Sequence, residues 1–342
     1  MLKLKDNAER TPFETSSYGF LSRWQGLRPR DAVLGACLFL AGMFALSLTG
    51  LDPYHDNPIL YPALVEAPAY VWFFNIAVPL MSTLAFVLMT VECYRRKTLT
   101  WWWLFFVAAS ASFWGESVGD WTFYLTYSPA FWHYEFIFPF PWHVGDNPYF
   151  MPFAYGWYWG LHAYAVVKLT YWWSERSGWS ELKSLLLFSI PLGYAWDLLV
   201  EGTATYFGWW EYDPPLGPYF SWEFLGGVGH MPLLVPILFP MVGWPNFIAY
   251  FAGDPDKRFS LGAIERCFNL QRLLPDSHPA SPAYSGPQDV IAAPKFAWRY
   301  ELHRVLAWVL TFWLTFTVML LIPLILARYL FGHDSIYAPW PF

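Results

Sequence analysis

Residues 184–207 read SLLLFSIPLGYAWDLLVEGTATYF. A helix needs about 20 mostly apolar residues to cross a bilayer, and this stretch has them, yet it carries two acids, Asp197 and Glu201. A spacing of four puts both on one helix face, one turn apart. An earlier apolar segment repeats the pattern: residues 113–121 read FWGESVGDW, with Glu116 and Asp120 again four apart. Each intramembrane carboxylate costs about 2.5–3.5 kcal/mol on insertion scales, so such groups face the bundle interior and mark functional sites. A single acid near a helix end is an ordinary interfacial residue, and Asp120, nearest the outer surface, fits that reading when taken alone. Two matched pairs do not.

The rest of the chain agrees with a lipid setting. Of 342 residues, 56% are apolar, 22% aromatic and only 13% charged, about half the charge fraction of a soluble domain. The net charge of −6 comes with no basic stripe for nucleic acid. Cys37, Cys93 and Cys267 are scattered, without disulfide or zinc spacing. Apolar segments predict an all-α polytopic bundle with about seven spans near 32–51, 71–92, 101–127, 151–173, 184–207, 224–251 and 305–327. Lys and Arg fall before the first span, at Arg95-Arg96-Lys97, at Arg176 and Lys183, and through 257–304; segments 52–70, 128–150 and 208–223 have none. The positive-inside rule then sets the N-terminus in the cytoplasm and the C-terminus outside. The division is a cytoplasmic tail 1–31, a six-helix membrane catalytic region 32–252, a partly irregular cytoplasmic loop 253–304, and a seventh helix with its tail 305–342. The membrane is the plasma membrane or the endoplasmic reticulum, which the sequence does not distinguish.

This topology runs both acid-bearing spans outward. Glu116 lies about 16 residues, or about 24 Å, along its span at about 1.5 Å per residue, and Glu201 is similarly placed. The four carboxylates are therefore expected to converge in the outer half of the bilayer. Tyr155, Trp159 and His162 share a face of the fourth span. Tyr124 and Tyr127 extend the acidic face of the third, Tyr194 precedes Asp197 by one turn, and Trp209 follows the fifth. Aromatic faces attract cations, so Tyr124, Tyr155, Trp159, His162, Tyr194 and Trp209 are the candidate substrate-binding residues, although interfacial Trp and Tyr are common anyway. His162 is a candidate base, hydrogen-bond partner or ligand, and His230 is similar; His133 and His143 are weaker. The sixth span, with Gly226, Gly227, Gly229, Pro232, Pro236 and Pro240, is expected to be a kinked or broken helix.

Residues 197–212, DLLVEGTATYFGWWEY, resemble a segment of the membrane-integral carotenoid hydratases: an Asp-Leu pair, an acid four residues on, an Ala, then Gly-x-Trp before an aromatic loop. Glu116 to Gly119 is similar to that family's earlier acidic helix. The architecture also resembles the small membrane-bound terpene cyclases, which use an acid on an early and a later span; Glu116 and Asp197 correspond by type. Both resemblances imply proton-initiated isoprenoid chemistry. A carboxylic acid, Glu116 or Asp197, protonates an alkene or epoxide of a hydrophobic terpenoid, meroterpenoid or carotenoid, and Asp120 and Glu201 tune it or accept the last proton. Neither a metal nor another cofactor is expected. Two alternatives stay open at this point: a di-metal enzyme using the carboxylates with His162 or His230, though no Glu-x-x-His occurs on a span, and a proton-coupled transporter. No Gly-x-Gly-x-x-Gly, P-loop or Asp-rich diphosphate motif is present.

Overall fold

The computed structural model describes residues 70, 72–128, 131, 133–134, 147–148, 150–212, 218–233, 244–252, 262–274, 276, 281 and 297–331. The predicted first span at 32–51, the tail 1–31 and His143 lie outside them. The described chain is mostly helical. A π turn Phe73–Ala77 leads into α1 (Val78–Arg96), followed by α2 (Trp101–Ser110), α3 (Glu116–Phe123), α4 (Met151–Ser177), α5 (Glu181–Phe207), α6 (Trp244–Phe251), α7 (Ala263–Cys267) and α8 (Trp298–Phe316); a second π turn, Thr317–Leu321, continues α8 into α9 (Ile322–Phe331). Six short strands form three two-stranded antiparallel ladders: β1 (Leu125–Tyr127) with β4 (Trp210–Tyr212), β2 (His133–Tyr134) with β3 (Asn147–Pro148), and β5 (Tyr219–Ser221) with β6 (His230–Pro232). Among the described residues, three continuous helices are long and apolar enough to cross a membrane: Phe73–Arg96, Glu181–Phe207 and Trp298–Leu330. The first presents Leu80, Leu84, Val87, Leu88 and Val91 outward, as a surface solvated by lipid does.

Three predicted spans differ from their sequence reading. The third is not one helix. It breaks after Ser110, passes through the 3₁₀ turn Phe113–Gly115 and restarts as α3, so the 24 Å depth reckoned along a straight span does not hold. The break has physical support. The Trp313 indole donates to the Ala111 carbonyl at 2.9 Å, and the Ser112 hydroxyl to that of Ala108 at 2.9 Å. The first comes from a distant helix and the second from the segment itself, and both occupy carbonyls at the break, as irregular backbone in a membrane requires. Gly115 belongs there because a Cβ would stand 2.0 Å from the Phe316 ring.

The sixth span is not a helix over 219–232. Those residues form the β5–β6 hairpin, closed by the 3₁₀ turn Glu223–Leu225 with Gly226 in the left-handed region at φ 80°. Gly227 and Gly229 serve close approach, not a helix kink: a Cβ on Gly227 would meet Trp222 and Tyr206, and one on Gly229 would lie 1.7 Å from Glu211 Oε2. Among the described residues, the helical part of that span is α6; residues 234–243, with Pro236 and Pro240, lie outside them.

The last helix starts at Trp298, earlier than the predicted 305, because its first turns are clamped. Arg304 Nε donates to Glu265 Oε1 at 2.8 Å, and Arg304 also reaches Glu301 at 3.2 Å and the Leu99 carbonyl at 2.8 Å. Thr98 completes the cluster on Glu301 at 2.5 Å. A charged cluster shut in between α7, α8 and the turn before α2 extends the helix beyond its apolar run.

Candidate active site

The two acid-bearing helices end alike. At the end of α3, Tyr124 turns the chain in the left-handed region at φ 60°, and its N–H donates to the Asp120 carbonyl. A bulky residue there is strained; burial and the Arg328 guanidinium 4.1 Å from its ring centroid hold it. At the end of α5, Gly208 takes the same conformation at φ 68°. Each turn launches a strand, and the strands pair: Leu125 opposes Tyr212, Thr126 opposes Glu211 and Tyr127 opposes Trp210. The Thr126–Glu211 pair is the centre of a local two-fold. Glu116 and Glu201 each stand ten residues before that centre, and Tyr127 and Tyr212 each one residue after it.

Each strand folds a donor back onto its own helix's acid. Tyr127 donates its hydroxyl to Glu116 Oε1 at 2.5 Å and lies 3.4 Å from Asp120 Oδ1. Tyr212 donates to Glu201 Oε2 at 2.8 Å, joined by the Trp210 indole at 2.7 Å. Helix α4 supplies the remaining donors to both sides. Tyr155 donates to Glu116 Oε2 at 2.5 Å, and Tyr158, three residues on, donates to Asp197 Oδ1. The four acids share one field: Glu116 and Glu201 both act on Asp120, Glu116 acts on Glu201, and the Tyr158 phenol feels Asp197, Glu201 and Glu116. Tyr212 lies beyond the helix end. Burial, then the charges of Glu201 and Asp197, push its phenol well above the usual range, so it stays a donor.

The acids are not equivalent. Glu116 and Glu201 are half-buried and each takes two donors. Asp120 and Asp197 are buried, at 2% and 0% exposure, and Oδ2 of each has no hydrogen-bond partner among the described residues. The Tyr158 ring that reaches Asp197 is itself packed among aromatic residues. Trp159 lies with its ring 4.6 Å from that of Tyr158 and 6.1 Å from that of Tyr155. Trp196 donates its indole N–H to the Tyr158 carbonyl at 3.1 Å.

The remaining predicted residues separate. His162 is buried, with Nδ1 at 2.9 Å from the Tyr158 carbonyl and its ring beside Trp159 and Trp196. Tyr124 is buried as the helix cap, and its ring faces Arg328. Tyr194 is half-buried and makes no hydrogen bond or ring contact among the described residues. Trp209 packs on Tyr70, Phe74 and Phe207; its neighbour Trp210 is the residue that reaches Glu201. His230 is held by the buried Glu211, through its backbone N–H at 2.8 Å and Nδ1 at 2.7 Å, as a brace between β4 and β6. His133 lies in β2.

Tyr158, Trp196, Trp210, Glu211 and Tyr212 were not among the predicted site residues. For Tyr158 a signal existed, since it follows Tyr155 by three and so lies on nearly the same helix face. Among the described residues, no three His, Cys, Asp or Glu side chains are grouped so as to hold a metal ion. Compared with family models, curated proteins and solved structures, the chain matches none.

Proposed function

We propose that this chain is a multi-pass integral membrane enzyme of isoprenoid metabolism, with about seven spans, its N-terminus cytoplasmic and its C-terminus outside. It starts a cyclisation or hydration by protonating a neutral terpenoid, meroterpenoid or carotenoid. The observation that carries the reading is Asp197: it has no exposure, its Oδ1 accepts from Tyr158, whose ring packs against Trp159 and Trp196, and its Oδ2 has no partner among the described residues. A carboxylic acid protonated on Oδ2 fits that environment, with Oδ1 as the carbonyl oxygen that accepts the phenol. General acid catalysis needs such a positioned donor.

The proton passes from Asp197 Oδ2 to an alkene carbon or an epoxide oxygen. The electron pair of the π bond forms the new C–H bond, or the C–O bond opens onto the protonated oxygen. Either way a cation is left on carbon. Aromatic faces stabilise it without capturing it. In cyclisation a second alkene closes on the cation and a C–H proton is lost to a carboxylate. In hydration a water oxygen adds and releases its proton.

The test is incubation of membranes carrying the protein with epoxidised and polyene isoprenoids, followed by mass spectrometry of products. Asp197→Asn and Glu116→Gln are each expected to abolish turnover, about a 10²-fold loss or more, while the protein still inserts. Near-wild-type turnover in Asp197→Asn refutes its role as the donor, and near-wild-type turnover in both variants refutes the acid chemistry altogether.

A further inference from the structure

His162 carries a feature that the acid chemistry does not use. Its Nδ1 lies 2.9 Å from the Tyr158 carbonyl oxygen. A carbonyl only accepts, so Nδ1 is the donor, and in the neutral imidazole the other nitrogen then bears a lone pair and no proton. That nitrogen, Nε2, is buried and has no hydrogen-bond partner among the described residues, in a side chain only 5% exposed. A buried acceptor without a donor is costly, and native structures supply a partner for nearly all such groups.

The tautomer is firmly set. The Tyr158 carbonyl also accepts the Trp196 indole N–H at 3.1 Å, and Trp196 stacks beside the imidazole with ring centroids 6.3 Å apart at 30°. Trp159 stands at 6.0 Å on another side. The imidazole is thus clamped, with aromatic walls and one unmet acceptor. The same residue, Tyr158, holds this histidine by its carbonyl and Asp197 by its hydroxyl. Two buried polar atoms, Nε2 of His162 and Oδ2 of Asp197, thus belong to side chains held by one residue, and neither has a partner among the described residues.

We infer that His162 Nε2 is a recognition point for a hydroxyl group, so that the ligand of this site is an apolar alcohol and not a pure hydrocarbon. The inference rests on the proposed reading for the isoprenoid character of the ligand, but the hydroxyl requirement comes from the histidine alone. The ligand O–H donates to Nε2, and its chain lies against the indoles. His162 acts on specificity, since no bond forms or breaks at it. A site built to pair a hydroxyl discriminates strongly against a ligand lacking one, because the acceptor is then left unmet.

The probe is farnesol against its methyl ether, which has the same chain and an oxygen but no O–H. Binding of each tritiated compound is measured on the purified full-length protein in detergent by scintillation proximity. Wild type is expected to prefer the alcohol by roughly tenfold or more. His162→Asn retains a side-chain donor for the Tyr158 carbonyl and lacks an acceptor at the Nε2 position; it is expected to bind alcohol and ether alike. His162→Gln places an amide oxygen near that position and is expected to keep a preference. Should the Asn variant fail to fold, as judged by its melting temperature, His162→Phe is read by the same criterion. Equal binding of alcohol and ether by wild type, as when Nε2 holds a resident water only, overturns the inference, and so does a preference that survives in His162→Asn. Alcohol preference without turnover of any isoprenoid removes the general-acid reading and leaves the subsite; turnover without alcohol preference does the reverse.

Discussion

Replacing Tyr158 by Phe removes one hydroxyl and leaves the ring, so it interrogates the charge on Asp197. Asp197 has no exposure, and the Tyr158 hydroxyl is the one hydrogen-bond donor to its carboxyl among the described residues. If Asp197 carries a proton, as the proposed acid must, the lost bond joins two neutral groups and is worth about 0.5–1.5 kcal/mol. If Asp197 were ionised, the bond would be worth about 1.5–3 kcal/mol, and stranding a buried carboxylate without a donor would raise the loss to about 3–5 kcal/mol. A double-mutant cycle with Asp197→Asn separates the cases, because the amide oxygen of Asn still accepts from a phenol. The expected coupling energy between Tyr158→Phe and Asp197→Asn is below about 1 kcal/mol, with Tyr158→Phe alone costing about 1 kcal/mol. The assay is equilibrium unfolding in mixed micelles of mild and denaturing detergent, with turnover followed in parallel. A coupling of about 3 kcal/mol or more would mean that the hydroxyl faces an anion, and Asp197 would then not be the proton donor.

Other outcomes follow from the same contacts. Arg304→Met leaves Glu265 and Glu301 buried without their counter-charge and should cost about 3–5 kcal/mol, read as a lower melting temperature in detergent; a neutral result would show that the cluster does not hold α7 to α8. Gly229→Ala sets a Cβ 1.7 Å from Glu211 Oε2 and 2.9 Å from the Thr205 carbonyl, so a loss of about 1–3 kcal/mol is expected by the same melt. Trp210→Phe removes one of two donors to Glu201 and should lower stability by about 1–2 kcal/mol without abolishing turnover, since Tyr212 remains; complete loss of turnover would assign Trp210 a larger part.

The acid pairs were legible because helix periodicity is a local property. Four-residue spacing at 116 and 120, and at 197 and 201, needs no knowledge of neighbours. What the pairs bond to was less so. Tyr127 and Tyr212 return to Glu116 and Glu201 across eleven residues and a left-handed turn, a reversal that helical phase cannot follow. Tyr158 lies off the single face, 155–159–162, that helix periodicity assigns to the fourth span. Helix α4 serves two acid helices and so presents two adjoining faces, Tyr155 to α3 and Tyr158 to α5. The glycines at 226–229 read as helix breakers in an apolar run; their actual role, close contact with Trp222, Tyr206 and Glu211, depends on residues distant in sequence. The break at 111–115 escaped detection because the partner that makes it tolerable, Trp313, lies some two hundred residues away.

The pairing of β1 with β4 ties the fates of the two glutamates together. Each phenol rides on a strand that the opposite helix's strand holds in place, so the seats of Tyr127 and Tyr212 are set together. Unzipping those three residue pairs would loosen both phenols at once, so this end of the two acid-bearing helices behaves as a single buckle.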